Sequence, residues 1–217
     1  MPARSASVVV MDAGGAPRAV PSWLEGNVVR ARFAAERPGE LDVQVVADVA
    51  GGPRPVIEAA VFVDVAPTEP LPGALDRPAP GEAQGASQDG GPPDEVRLTR
   101  MIAAARASLG LGALPRDPRF DRIALEHARQ MARTHELAHD AGDGDPLERM
   151  RVAGLDPRAA GENVAHAPSL PLAHRAVWDS PSHRLNLLGR SFDRMGVGIV
   201  RDEDGSFWVV ETFGGGL

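Results

Sequence analysis

The chain contains no cysteine, no lysine and no tyrosine, and each absence removes a class of chemistry. Without cysteine there is no thiol nucleophile, thiolate ligand or disulfide, so an oxidising compartment is neither required nor excluded. Without lysine, Schiff-base and P-loop chemistry are excluded, and all 23 cationic side chains are arginine. Without tyrosine, only His, Asp, Glu, Ser and Thr remain for catalysis. Carboxylates outnumber cations 30 to 23, giving a net charge of −7 and a pI near 5.4. That balance argues against a nucleic-acid partner, because duplex binding relies on clustered cations facing phosphates. No apolar run approaches the roughly 20 residues of a membrane helix, so no transmembrane segment is expected. The opening MPARSASVVVMDA lacks the charged n-region, long h-region and cleavage site of a signal peptide.

Hydrophobic residues make up 43% of the chain, enough for one sizeable core or two modest ones, and the composition shifts along the chain favour two. Residues 1–66 read as β-strands. SASVVVM (5–11), NVVRARFA (27–34), ELDVQVVADV (40–49) and PVIEAAVFVDV (55–65) are rich in Val and separated by Gly/Pro turns. Four strands barely make a sandwich, so a small all-β sandwich-like domain, with a strand missing before it, is the expectation. Trp23 is expected to fill its core. Residues 67–94 carry no periodicity and are dominated by Pro, Gly, Ala and acids, which predicts an extended linker.

Residues 95–217 change to a helical period. Leu98, Met101, Ile102, Ala105 and Leu109 form one stripe. Asp117 with Pro118 opens a second helix whose apolar face takes Phe120, Ile123, Ala124, His127, Ala128, Met131 and His135. PLERMRVAG (146–154), a segment from Leu170 to Trp178, and SPSHRLNLL (180–188) predict three more helices. RMGVGIVRD and SFWVVETFG then read as a hairpin turning at Glu203, Asp204 and Gly205. The fold class is α+β.

Two stretches carry polar groups that need partners, GEN (161–163) and SPSHR (180–184). Glu162 and Asn163 lie ahead of the apolar Val164–Ala165 pair, and histidines are the expected partners of Glu162. Ser180 takes the N-cap position of a helix with Pro181 at its start, which orients His183, while Arg184 is read as a salt-bridge partner. His139, after the second helix and before DAGDGD (140–145), sits at a helix end and is placed to project into a cleft. HELAH (135–139) also fits the zincin pattern H-E-x-x-H, but Asp140, Gly142 and Gly144 stop any helix that would hold both imidazoles on one face. DAGDGD lacks the glycine placement and terminal glutamate of a calcium loop and reads as a solvated turn. His127 reads as a helix-face residue, and His166 and His174 as either near the site or at the surface.

LEHARQMARTHELAH (125–139), PLERMRVAG, GENVA (161–165), SPSHRLNLL, MGVGIV (195–200) and FWVVETFG (207–214), in this order and spacing, resemble the CAP superfamily in its shorter bacterial form. This group, also called SCP/TAPS, includes the cysteine-rich secretory, antigen 5 and pathogenesis-related 1 proteins. The resemblance implies a three-layer α/β/α sandwich, an extracellular or cell-envelope location, and a cleft that in many members holds two histidines and two glutamates. His139, Glu162 and His183 match three of these four; Ser180 or Pro181 stands at or beside the second glutamate. Two functions then compete. One is a binding module whose cleft of His139, Glu162, Asn163, Ser180 and His183 takes a small hydrophobic molecule, a peptide or a cell-wall component. The other is a hydrolase or protease with Zn²⁺ or another divalent metal on His139 and His183 and Glu162 as candidate catalytic ligand or base. A surface or protein partner is expected through the N-terminal domain.

Overall fold

The computed structural model describes residues 3–12, 14–67, 78–86 and 91–216, which divide into two compact units parting between residues 77 and 78. The first is all β. Strands β1 (Ser5–Asp12), β2 (Pro17–Val20), β3 (Ser22–Glu25), β4 (Val28–Ala31), β5 (Gly39–Val49) and β6 (Gly52–Val63) form a sheet of order β2-β1-β5-β6 and a separate β3-β4 hairpin. Alternation places Val8, Val10, Leu41, Val43 and Val45 on one face, where Val29 and Ala31 of the hairpin and Phe33 cover them. Two short strands, β2 and β3, escape a reading based on apolar runs. Each has four residues, and Pro17 and Pro21 punctuate them. Trp23 is not core. It pairs with Arg30 on the side of β3 opposite Val29 and Ala31, and stays 50% exposed.

The second unit contains α1 (Asp94–Ser108), α2 (Pro118–Thr134), α3 (Pro146–Val152), β7 (Ala159–Ala167), α4 (Leu170–Asp179), α5 (Pro181–Leu187), β8 (Arg194–Arg201) and β9 (Phe207–Gly215). Capping residues set three helix starts: Asp117 accepts from Arg119 N, Asp145 from Glu148 N and Ser169 from Leu172 N, each followed by proline in the first turn. Antiparallel strands in the order β7-β9-β8 make the sheet. Ala165, Val197, Ile199, Val209 and Phe213 face Leu98, Met101, Ile102, Leu170, Val177 and Leu187 of α1, α4 and α5. Val164, Trp208 and Val210 face Ala124, Ala128 and Met131 of α2. Helices therefore cover both faces, an α+β fold with a three-layer second unit. Gly196 and Gly198 bring α2 onto β8: an added Cβ would lie 2.2 Å from the backbone of Phe120 or Ala124.

The stretch around GEN is itself a strand, β7, an element that the apolar runs of the sequence do not mark. Part of the expected linker is also packed. Ala79 is buried, His174 Nε2 lies 3.0 Å from Pro80 O, both Glu82 oxygens take Arg175, and Arg97 donates to Gly85 O. These partners lie on α1 and α4, too far along the chain for composition to reveal. Among the described residues no helix is long and apolar enough to cross a membrane.

Candidate functional site

The site forms where β7 edges the sheet, because neighbouring residues of a strand point to opposite faces. Glu162 points toward α2 and α3, and Asn163 toward α5. Opposite them in the central strand stand Thr212 and Glu211.

On the α2 side, Glu162 is buried with a charge-assisted partner on each oxygen. His139 Nδ1 lies 3.0 Å from Oε1 and Arg149 donates to Oε2 at 2.5 Å. Burial pushes the carboxyl up; the hydrogen bond from His139 and the charges of Arg149, His127 and His139 outweigh it and hold the pKa below the ordinary value. With Nδ1 engaged by the carboxylate, Nε2 is the His139 ring nitrogen turned away from Glu162.

The loop before α3 makes this arrangement possible. Asp140 Oδ1 accepts from Gly142 N and Gly144 N, and both glycines have positive φ. Asp143 Oδ2 sits 2.9 Å from Nδ1 of the fully buried His127, whose Nε2 reaches Ala138 O. Arg149 also donates to His139 O and Gly144 O. DAGDGD is thus a built support for His139, not only a solvated turn.

On the other side, Asn163 Nδ2 donates to His183 O at 3.1 Å and to Glu211 Oε2 at 2.9 Å, while its Oδ1 accepts from Asn186 Nδ2. Asn186 Nδ2 also reaches Glu162 O. Burial, helped by the charge of His139, pushes His183 down to about 4. His183 is therefore neutral near pH 7. Ser180 occupies the N-cap position of α5 without a side-chain cap bond, its hydroxyl 3.4 Å from that of Ser182. Arg184 lies over the Trp178 ring at 4.1 Å and donates to Trp178 O.

His135 and His139 do not share a helix face. The helix ends at Thr134, and His135 adopts a left-handed cap with φ 52° and a side chain 73% exposed. HELAH therefore lacks the geometry of a zincin. Nor does the donor set of the cleft fit a resident zinc with three protein ligands. Among the described residues no three His, Asp or Glu side chains converge as a coordination shell, and a cation at Glu162 would face the guanidinium of Arg149.

Three residues of this network were not singled out from sequence. Arg149 lies within an ordinary amphipathic helix, though a buried carboxylate calls for a cation somewhere. His127 looks like one more helix-face position. Glu211 is a lone acid in FWVVETFG, where strand alternation suggests solvent; burial raises it to about 7, and the bond from Asn163 offsets this only in part. Its Oε1 is buried with no hydrogen-bond partner among the described residues. Elsewhere, His166 stacks on Trp208 at 4.0 Å and reaches Ser206 Oγ, and His174 is fully buried.

Residues 99–213 match the cysteine-rich secretory protein family, CAP. An uncharacterised protein of Bacillus subtilis, YkwD, is 30% identical over 122 residues, which cover 55% of this chain and 47% of that protein. The chain thus spans about half the length of this curated relative. Two solved structures share the fold. An outer surface protein of Borrelia burgdorferi aligns with a TM-score of 0.51 at 24% identity, over 54% of this chain and 89% of its own. An extracellular protein of Bacillus anthracis containing an SCP domain aligns with a TM-score of 0.51 at 14% identity, over 96% of this chain and 88% of its own.

Proposed function

The chain belongs to the cysteine-rich secretory protein family, in its bacterial form, and from that premise we propose that it is a binding module of the cell envelope or exterior. Its ligand is a peptide or cell-wall fragment received at the His139/Glu162/His183 cleft. The observation that carries this reading is the commitment of Glu162. With one oxygen on His139 and the other on Arg149, the carboxylate is already neutralised and positions groups instead of abstracting protons. What the cleft then offers is the Nε2 of His139 and the neutral imidazole of His183. Such groups suit the amides and hydroxyls of a peptide or glycan better than an anion or a purely apolar lipid. The location follows the extracellular and outer-surface descriptions of the two structural relatives.

Titration calorimetry with soluble muropeptides and with short unstructured peptides tests the proposal. Binding by one pool, lost in His183→Ala and His139→Ala, is the expected result, and no heat from either pool overturns it. The competing reading is a zinc-dependent hydrolase using His139, Glu162 and His183. Stoichiometric metal in protein purified without chelator, lost in His183→Ala, would replace the binding module with that enzyme. For the first unit we propose a docking role toward a surface or protein partner. Deleting residues 1–77 should abolish retention on the cell surface while the second unit keeps its melting transition; retention without those residues would end that assignment.

A further inference from the structure

The geometry assigns Glu211 as a positioning residue that couples the protonation of one buried carboxyl to the placement of His183, acting through Asn163. This rests on reading the His139/Glu162/His183 cleft as the functional site.

The link is short and built from bonds already described. Asn163 uses one amide nitrogen for both Glu211 Oε2 and His183 O, and its oxygen is held by Asn186 of the same helix as His183. The Glu211 carboxyl therefore acts on a donor that also holds the start of α5. Glu211 Oε1 stands buried without a partner among the described residues, unlike either oxygen of Glu162. A carboxyl with one neutral donor and one orphan oxygen is adequately served while it keeps its proton. It is poorly served as an anion.

The charged groups on the surrounding elements do not relieve it. On α5, Arg184 is turned onto Trp178, and His183 offers Asn163 its backbone carbonyl. On α1, Arg106 donates to Leu187 O and Gly189 O, and Arg97 to Gly85 O and Asp94. On α4, His174 holds Pro80 O. The facing residue of β8 is Val197. Among the described residues Asn163 is the one polar side chain bonded to Glu211, and burial is the main cause of its raised pKa, about 7. When the Oε1–H bond breaks, the proton passes to bulk water and its electron pair stays on the carboxylate. The new anion then competes with His183 O for the Asn163 amide or draws water under α5, and either displaces His183.

His183 itself titrates at about 4, so any movement of its resonances near pH 7 is not its own protonation. The test is ¹³C NMR of the histidine-labelled, ligand-free protein from pH 5 to 9. Wild type should show a step in the His183 ring resonance with a midpoint near 7. Glu211→Gln keeps an acceptor for Asn163 and cannot ionise, so the step should vanish. Absence of the step in wild type, or its survival in Glu211→Gln, overturns the assignment. If Glu211→Gln does not fold, Asn163→Ser cuts the relay instead, and a step that persists there overturns the proposal equally. No ligand enters the measurement, so failure of the binding reading and failure of this coupling are seen separately.

Discussion

Each face of the β7-β9-β8 sheet buries one glutamate, and the two are held in opposite states. Glu162 has an arginine and a histidine on its two oxygens and stays ionised below the ordinary carboxylate range. Glu211, one register position away across β7 and β9, has a single asparagine and is raised to about 7. Burial acts upward on both. The partners decide the outcome, which teaches that depth in a protein fixes the protonation of an acid only when no cation accompanies it.

The hardest blow to this contrast is Arg149→Met, which makes Glu162 resemble Glu211 by removing its fixed counter-charge. A loss of about 4 kcal/mol in denaturant unfolding at pH 7 is expected, and a loss below about 1 kcal/mol would show the pair to be dispensable.

Next in size is the pH dependence. The folded pKa of Glu211 is raised, so its contribution is full below the unfolded value and declines as pH rises toward about 7. The accumulated decline is about 3 kcal/mol. Glu162, with its folded pKa lowered, has the reverse sign: its contribution is present above the unfolded value and is lost as pH falls through the folded one. Unfolding curves for Glu211→Gln should therefore lose the decline on the neutral side while keeping the acid-side loss. An unchanged neutral side would mean that Glu211 is ionised in the folded protein.

Gly198→Ala sharpens the comparison by disturbing the α2 face alone. Its Cβ would meet the Ala124 backbone, so about 2 kcal/mol should be lost. His183 resonances, held from the other face, should shift less than those of His139. The smallest effect belongs to Trp23→Ser, which should change stability by less than about 0.5 kcal/mol. Calorimetry checks it, and a larger loss would return Trp23 to the core.

How much of this could be read beforehand depended on whether the cause was local. The caps at Asp117, Asp145 and Ser169, the helix stripes and the Gly205 turn rest on neighbouring residues, and their elements appear as the sequence suggests. The family resemblance brought His139 and Glu162 together, which spacing alone does not. Strand β7 stayed hidden because AAGENVAHA is rich in small residues and has a single β-branched one. The packing of residues 78–86 depends on His174 and Arg175, more than 90 positions away. Glu211 shows the limit most directly. Alternation marks an acid in a strand as outward, and only the three-layer arrangement leaves no outward side.

The strand order carries a consequence for how the second unit comes into being. The middle of the sheet, β9, is the last of its three strands to be synthesised, and within the sheet β7 and β8 each pair with it and not with each other. Until Phe207 onward has emerged, β7 and β8 lack their common sheet partner, although Met195 of β8 also bridges Arg116, and the apolar faces of α1 and α2 have no closed sheet to pack on. A nascent chain that stops short of β9 therefore cannot close either layer on this sheet, so completion of the second unit waits on that strand.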